Sequence, residues 1–249
     1  MPFTSWGCDW LDCTFLIEPT LTLQRIHADI VKHGHHIAML RTYLPCKRPL
    51  TPASQPLFSV AGTDWWTDVR QNGDIYLYGH AGSKALRGQP EPRRILADEI
   101  TSLEIHISKE YVRRIDLRCD IELSLSDIDT DRFTTRARSR NDHWKNGHLE
   151  GITFGKGDIV GRIYQKDLDP RSQPGSPQWL SWCQVWGKPL TYREPILRVE
   201  FQLRRGVLRE LGFGERPIHS RNLPALWSYC CDWLKHRGKR TATHRGEIS

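Results

Sequence analysis

Hydrophobic and polar residues alternate in three segments of the chain, which span residues 114–124, 159–167 and 196–205. A period of two is typical of a β-strand that buries one of its faces. In the first segment, Ile115 and Leu117 share one side of the strand, whereas Asp116 and Arg118 share the other. The pattern therefore predicts three strands of one sheet, with an apolar face packed on helices and a polar face opposite.

The spacing of apolar residues predicts further elements around these strands. Residues 6–18 are rich in aromatic and β-favouring residues and predict an early strand, and residues 20–34 predict a helix that ends at a glycine. Glycines at positions 155 and 157 predict a hairpin turn. The arginine-rich segment around Phe133 is expected to form a basic helix, and residues 222–239 a second helix.

Together these elements predict an α+β fold, with an antiparallel sheet that carries helices packed on one face. A smaller α+β region, residues 1–94, is expected to precede the sheet domain of residues 95–237. Residues 238–249 are basic and short of apolar side chains, and we expect them to be disordered.

The composition favours a polyanionic partner. The 249 residues carry 36 lysines and arginines against 29 acidic residues, and the net charge is +7. Such a surplus most often serves nucleic acid. The seven cysteines form no C-x-x-C pair, and no run of apolar residues is long enough to cross a membrane. These features predict a cytoplasmic protein without a membrane partner.

The polar face of the predicted sheet has two interpretations. It collects Asp116, Asp120, Glu122, Arg162, Tyr164, Lys166, Arg198 and Glu200. It could be an ordinary solvated face, on which acids and bases pair across strands. Alternatively, its carboxylates could hold a hard divalent cation, and Tyr164 could attack a phosphodiester. In that case we expect the neighbouring cations Arg162 and Lys166 to lower the pKa of the Tyr164 phenol.

Three motifs follow one another along the chain, namely "RRIDLRCDIEL", "GITFGKGDIVGRIYQKDLD" and "ILRVEFQLRR", and "LPALWSYCCDWLK" comes after them. These motifs resemble those of the replication initiation factor family, the rolling-circle initiators of certain plasmids and of filamentous phages. Their order and spacing carry the resemblance, which covers residues 95–235. Two positions depart from the family's pattern, because Gln165 replaces an Asp or Asn and Asp169 replaces a Glu.

The resemblance implies a role for each matching position. Tyr164 would be the nucleophile, with Lys166 as the catalytic lysine beside it. The ligands of Mg²⁺ or Mn²⁺ would be Asp116, Asp120 and Glu200. The motif arginines Arg114, Arg118, Arg162 and Arg198 would bind DNA. Independently of the resemblance, Arg136 and Arg140 of the basic segment could follow a phosphate backbone or could belong to an ordinary solvated face.

The function that the resemblance implies is initiation of rolling-circle DNA replication. Such an enzyme nicks and rejoins one DNA strand at an origin through a covalent 5′-phosphotyrosine intermediate. Its partners would be the origin duplex, the exposed single strand, and a host helicase and polymerase. Residues 95–237 would carry the nicking chemistry, and residues 1–94 could help recognise DNA. Two alternatives remain open: a mobilisation relaxase with the same chemistry, and a DNA-binding regulator without catalysis.

Overall fold

The computed structural model of the chain describes residues 4–17, 21–33, 36–38, 41–44, 56–61, 65–72, 74–81, 107–170 and 173–237. The predicted N-terminal region is therefore described in part. The tail at 238–249, which was expected to be disordered, lies outside the described residues.

Thirteen strands and four α-helices make up the described part of the chain. The strands are β1 (Thr4–Ile17), β2 (His36–Ala38), β3 (Arg41–Leu44), β4 (Pro56–Ala61), β5 (Trp65–Asn72), β6 (Asp74–Ala81), β7 (Ile107–Glu122), β8 (Phe133–Thr135), β9 (Arg140–Lys145), β10 (His148–Phe154), β11 (Ile159–Gln165), β12 (Ile196–Arg204) and β13 (Leu234–His236). The helices are α1 (Leu21–His33), α2 (Pro177–Trp186), α3 (Arg205–Glu210) and α4 (Leu223–Trp233). Within the described residues, no helix is both long and apolar enough to span a membrane.

Eleven of these strands form one antiparallel sheet in the order β2-β3-β4-β5-β6-β1-β7-β12-β11-β10-β9, and β13 pairs with β8 separately. The prediction of an α+β fold built on an antiparallel sheet is thus confirmed. β1 pairs with β6 on one side and with β7 on the other. Strands from both predicted regions, residues 1–94 and 95–237, therefore belong to one sheet.

The three alternating segments are confirmed as strands β7, β11 and β12, and β12 lies between the other two. Their register aligns the polar residues in rows. Arg198 of β12 lies opposite Asp120 on one side and opposite Tyr164 on the other. Glu200 of β12 lies between Arg118 and Arg162 in the same way.

The apolar face of the sheet packs against three of the helices. Ile115, Ile163 and Phe201 belong to a continuous core together with residues of α1, α3 and α4, which include Ile26, Leu208 and Leu226. Helices therefore pack on the face that the sequence predicted. The structure adds that α2 lies against the opposite, charged face, where its Trp182 ring stacks on Arg118 and Arg198.

The prediction of a basic helix around Phe133 is wrong. Phe133 begins β8, and Arg140 begins the edge strand β9. The ring of Phe133 packs against Phe154 and His236, with centroid separations of 5.6 and 4.9 Å. Pairing with β13 and β10 satisfies the backbone of this segment, so tertiary contacts override its local pattern.

The ring of Phe201 tests the packing of the helices on the sheet. Phe201 is 1% exposed and meets Trp227 edge-on at 5.5 Å. We expect Phe201→Ala to lower the free energy of unfolding by about 3–5 kcal/mol, because it leaves a cavity in the core. Urea unfolding would measure the loss. The exposed Trp144, with 64% of its surface accessible, provides the control, and Trp144→Ala should change stability by at most about 0.5 kcal/mol. Equal losses would contradict the packing described.

Candidate active site

A tyrosine hydroxyl and a carboxylate lie in contact on the polar face of the sheet. The hydroxyl of Tyr164 donates a hydrogen bond to Oε2 of Glu200 over 3.1 Å. The other oxygen of Glu200 accepts from the Arg162 guanidinium at 2.8 Å, and Arg162 also donates to Gln202 at 2.9 Å. The carboxylate is therefore held by two side chains from the neighbouring strand and faces the phenol.

These groups border an open pocket of about 690 Å³. Its lining combines polar and charged side chains from β7, β9, β10, β11 and β12 with the turn that follows β11: Arg114, His143, Glu150, Gly151, Arg162, Tyr164, Gln165, Leu168, Asp169, Pro170 and Glu200. Tyr164 and Glu200 thus lie on a wall that a ligand can reach.

Gly151 lets strand β10 pass close beside Tyr164. The two residues are opposite each other in the β10–β11 register, and a Cβ at position 151 would lie 2.9 Å from the Cβ of Tyr164. A β-bulge between Leu149 and Gly151 shifts the β9–β10 register at this point. Bulges redirect side chains, and here Glu150 and Gly151 both line the pocket.

Lys166 contacts the ring of Tyr164 and not its hydroxyl. Its ammonium donates to Asp169 at 2.8 Å and lies 5.7 Å from the centre of the Tyr164 ring. Burial lowers the pKa of Lys166, and the nearby Arg198 lowers it further, although the ion pair with Asp169 opposes the shift. Lys166 therefore packs against the face of the Tyr164 ring and helps to fix its position.

The two departures from the family pattern both make structural contacts. Gln165 accepts a hydrogen bond from the backbone amide of Leu125 and donates one to Asp167, each at 2.8 Å. Asp169 is the partner of Lys166. Both residues therefore stabilise the turn that follows β11, beside the pocket.

The phenol of Tyr164 is harder to ionise than an ordinary tyrosine. Burial raises its pKa well above the usual value, and the carboxylate of Glu200 raises it further, which outweighs the opposite effect of Arg198. The expectation that neighbouring cations lower this pKa is wrong, because Arg162 is neutralised by Glu200 and Lys166 by Asp169. The proton of the phenol is instead directed at the Glu200 carboxylate, which accepts its hydrogen bond.

Asp120 belongs to a buried ion cluster, which corrects its expected role as a metal ligand. It is fully buried, and its oxygens accept from Arg198 at 2.6 and 2.9 Å, from Arg118 at 2.7 Å and from the Trp186 indole at 2.8 Å. Burial alone would raise the pKa of Asp120, but Arg198 and Arg118 shift it below its usual range. The carboxylate is thus the charged counter-ion of two arginines.

The same cluster corrects the DNA-binding role expected for Arg118 and Arg198. Both guanidiniums are almost fully buried and lie 4.7 and 4.0 Å from the centre of the Trp182 ring. Asp9 of β1 forms a further ion pair with Arg198 at 3.5 Å. Helix α2 therefore covers this half of the polar face, and these arginines are not accessible to DNA.

The remaining carboxylates do not form the expected metal site in this arrangement. Both oxygens of Asp116 accept hydrogen bonds from Arg114, one of them over 2.8 Å. Burial raises the pKa of Asp116 to about 6, although Arg114 opposes the shift. Within the described residues, no group of three His, Cys, Asp or Glu side chains is placed to hold a metal ion. The set Asp116, Asp120 and Glu200 therefore does not fit a divalent cation.

The other expected DNA-binding arginines divide into two groups. Arg114 and Arg162 are half-buried and line the pocket, where their guanidiniums can meet a phosphate. Arg136 and Arg140 are exposed but do not line it, and Arg140 is paired with Asp142. The sequence analysis missed His143 and Glu150, since no pattern in the sequence reveals the bulge that places them beside Tyr164.

Comparisons with known proteins establish no family. No family model matches the chain, and no curated protein matches it. One solved structure, a rolling circle replication initiator protein from Geobacillus stearothermophilus, is 15% identical over 97% of this chain and 90% of its own, with a TM-score of 0.47. Another, the TBP of Methanococcus jannaschii, is 10% identical over 83% of this chain and 95% of its own, with a TM-score of 0.32. Both scores are too low to carry an argument about function.

The role of Asp120 can be separated from metal binding by stability measurements. We expect Asp120→Asn to lower the free energy of unfolding by about 3–5 kcal/mol, because it leaves two buried arginines without their counter-ion. Urea unfolding in EDTA and in Mg²⁺ should give the same loss. Asp142→Asn, which removes a half-exposed pair, should cost less than about 1 kcal/mol. A loss seen only in Mg²⁺ would restore Asp120 as a metal ligand.

The raised pKa of Tyr164 predicts a specific titration. Subtracting the ultraviolet titration of Tyr164→Phe from that of the wild type isolates this one phenol. We expect no tyrosinate signal from it at about pH 10, where an ordinary tyrosine is half ionised. Because the folded protein holds this proton while the unfolded chain releases it, the protein should also lose stability as the pH rises past this value. A transition below that pH would show instead that cations activate the phenol.

Proposed function

We propose that the chain is an enzyme that nicks and rejoins DNA to start rolling-circle replication. The observation that carries the proposal is the hydrogen bond from Tyr164 to Glu200, on the wall of an open pocket that Arg114 and Arg162 also line. Such a pocket offers a nucleophile, a proton acceptor and two guanidiniums at one place, each guanidinium being paired with a carboxylate beside it. A phosphodiester needs these three components for transesterification.

The reaction would begin with attack of the Tyr164 oxygen on the phosphorus of one DNA linkage. The phenolic proton passes to Oε2 of Glu200, a bond forms between Tyr164 and the 5′ phosphate, and the bond to the 3′ oxygen breaks. Because the pKa of Tyr164 is raised, attack depends on this proton transfer. Arg114 and Arg162 would stabilise the negative charge on the phosphoryl oxygens.

The covalent intermediate explains why one site can open and close a strand. The phosphotyrosine bond replaces the bond that was broken, so the 3′-OH can later attack it and restore the DNA. Until then, a host polymerase could extend the free 3′ end while a host helicase separates the strands. The excess of basic over acidic residues in the chain would favour the DNA duplex as the substrate.

Incubation with supercoiled plasmid that carries the protein's own gene tests the proposal. We expect relaxed circles and a protein–DNA adduct that survives denaturation, assayed in Mg²⁺, in Mn²⁺ and in EDTA. Tyr164→Phe should bind DNA but form no adduct, and Glu200→Gln should slow adduct formation by about 10²–10⁴-fold. Tyr229→Phe, on α4 at the opposite face of the sheet, is the matched control and should behave as the wild type.

The outcomes separate the proposal from its alternatives. DNA binding by the wild type without any adduct would indicate a regulator that lacks catalysis. An adduct whose free 3′ end is never extended in a replication extract would favour a mobilisation relaxase. Full adduct formation by Tyr164→Phe would show that another residue is the nucleophile.

A further inference from the structure

Three residues lie in a row across three neighbouring strands of the pocket. Gly151 of β10 is opposite Tyr164 of β11 on one side and opposite His143 of β9 on the other. Tyr164 and His143 both line the pocket. Two strand spacings separate their backbones, about 10 Å, and the glycine between them adds no side chain. The row therefore leaves space for a phosphate between a phenol and an imidazole.

The ring of His143 is oriented by a neighbour on the same face. Its Nε2 forms a hydrogen bond with the hydroxyl of Thr153 over 2.8 Å, and Thr153 lies opposite Arg162 in the β10–β11 register. This contact leaves the second ring nitrogen for another partner. His143 is exposed, since β9 is the edge strand at this end of the sheet. A DNA strand that enters the pocket can therefore reach it.

Departure of the 3′ oxygen needs a proton donor, and the basic side chains in or beside the pocket other than His143 are poorly suited to supply it. Arg114 and Arg162 are guanidiniums, which keep their protons. Lys166 is held by Asp169 against the ring of Tyr164. Glu200 receives the phenolic proton. Histidine is the side chain most often used for proton transfer near neutral pH, and His143 is the histidine among the described residues that line this pocket.

We infer that His143 is the general acid that protonates the leaving 3′ oxygen, an inference that rests on the proposed nicking function. As the Tyr164 oxygen bonds to phosphorus, its proton moves to Glu200. As the bond from phosphorus to the 3′ oxygen breaks, His143 gives its proton to that oxygen and becomes neutral. Rejoining reverses both transfers, so His143 then acts as the base that activates the 3′-OH. No further reactant is needed, and the protons balance in each direction.

A substrate with a sulfur leaving group tests this role directly. The nick position is first mapped with the wild type on plasmid that carries the protein's own gene. Two oligonucleotides of that sequence are then compared, one with the natural 3′ oxygen at the nick and one with sulfur in its place. A thiolate leaves without protonation, so only the oxygen substrate needs a general acid.

We expect His143→Gln to slow single-turnover adduct formation by about 10²–10⁴-fold on the oxygen substrate and by less than about tenfold on the sulfur substrate. The side-chain amide of glutamine can reach the position of the histidine Nε2 and keep the hydrogen bond to Thr153, which controls for the local structure. His148→Gln, in the same hairpin but outside the pocket lining, should match the wild type on both substrates.

The other outcomes overturn the inference in distinguishable ways. Equal losses on the two substrates would mean that His143 positions DNA and transfers no proton, and no loss on either would remove it from the reaction. Both results leave the nicking function intact. If the wild type forms no adduct with plasmid or with either oligonucleotide, the proposed function fails, and the role of His143 fails with it.

Discussion

The ion pair between Arg198 and Asp120 is the interaction on which the polar face of the sheet depends. Two charges of this kind are costly to bury unless their hydrogen bonds are satisfied. Here, two guanidiniums and one indole satisfy the carboxylate. The pair joins β7 to β12 in the interior of the sheet, in the same register that aligns Glu200 with Arg162. A slip of one residue would separate both pairs.

This cluster divides one face of the sheet into two environments. Under α2, aromatic rings cover the arginines and exclude water, which makes the charges structural. Towards β10, no helix of the described chain covers the polar face. Charged strand residues such as Arg114, Arg162 and Glu200 line an open pocket there. Arginines four positions apart on β7, or in the adjacent strands β11 and β12, therefore differ in exposure. Arg114 and Arg162 can meet a ligand, whereas Arg118 and Arg198 cannot.

The half of the polar face that α2 covers also determines the chemistry of the half that borders the pocket. Burial and the surrounding carboxylates keep the phenol of Tyr164 protonated, and Lys166 is fixed beneath its ring by Asp169. A protonated phenol is a weak nucleophile, so the proposed reaction would use the adjacent carboxylate of Glu200 as its proton acceptor. Gly151 then provides the space beside the phenol, and the bulge in β10 brings His143 and Glu150 to the edge of that space.

The sequence by itself determined the strands β7, β11 and β12, the hairpin between β10 and β11, and the grouping of Tyr164 with Glu200 on one face. Alternation of period two is a local property, and side chains on one face of adjacent strands must lie near each other. Tertiary structure alone decided which charges are buried, that the Phe133 segment forms a strand, and that His143 lies beside Tyr164. Those outcomes depend on α2, on strand pairing and on a bulge, which bring together residues far apart in the chain. The sequence does not distinguish a charged side chain that an indole ring covers from one that water reaches.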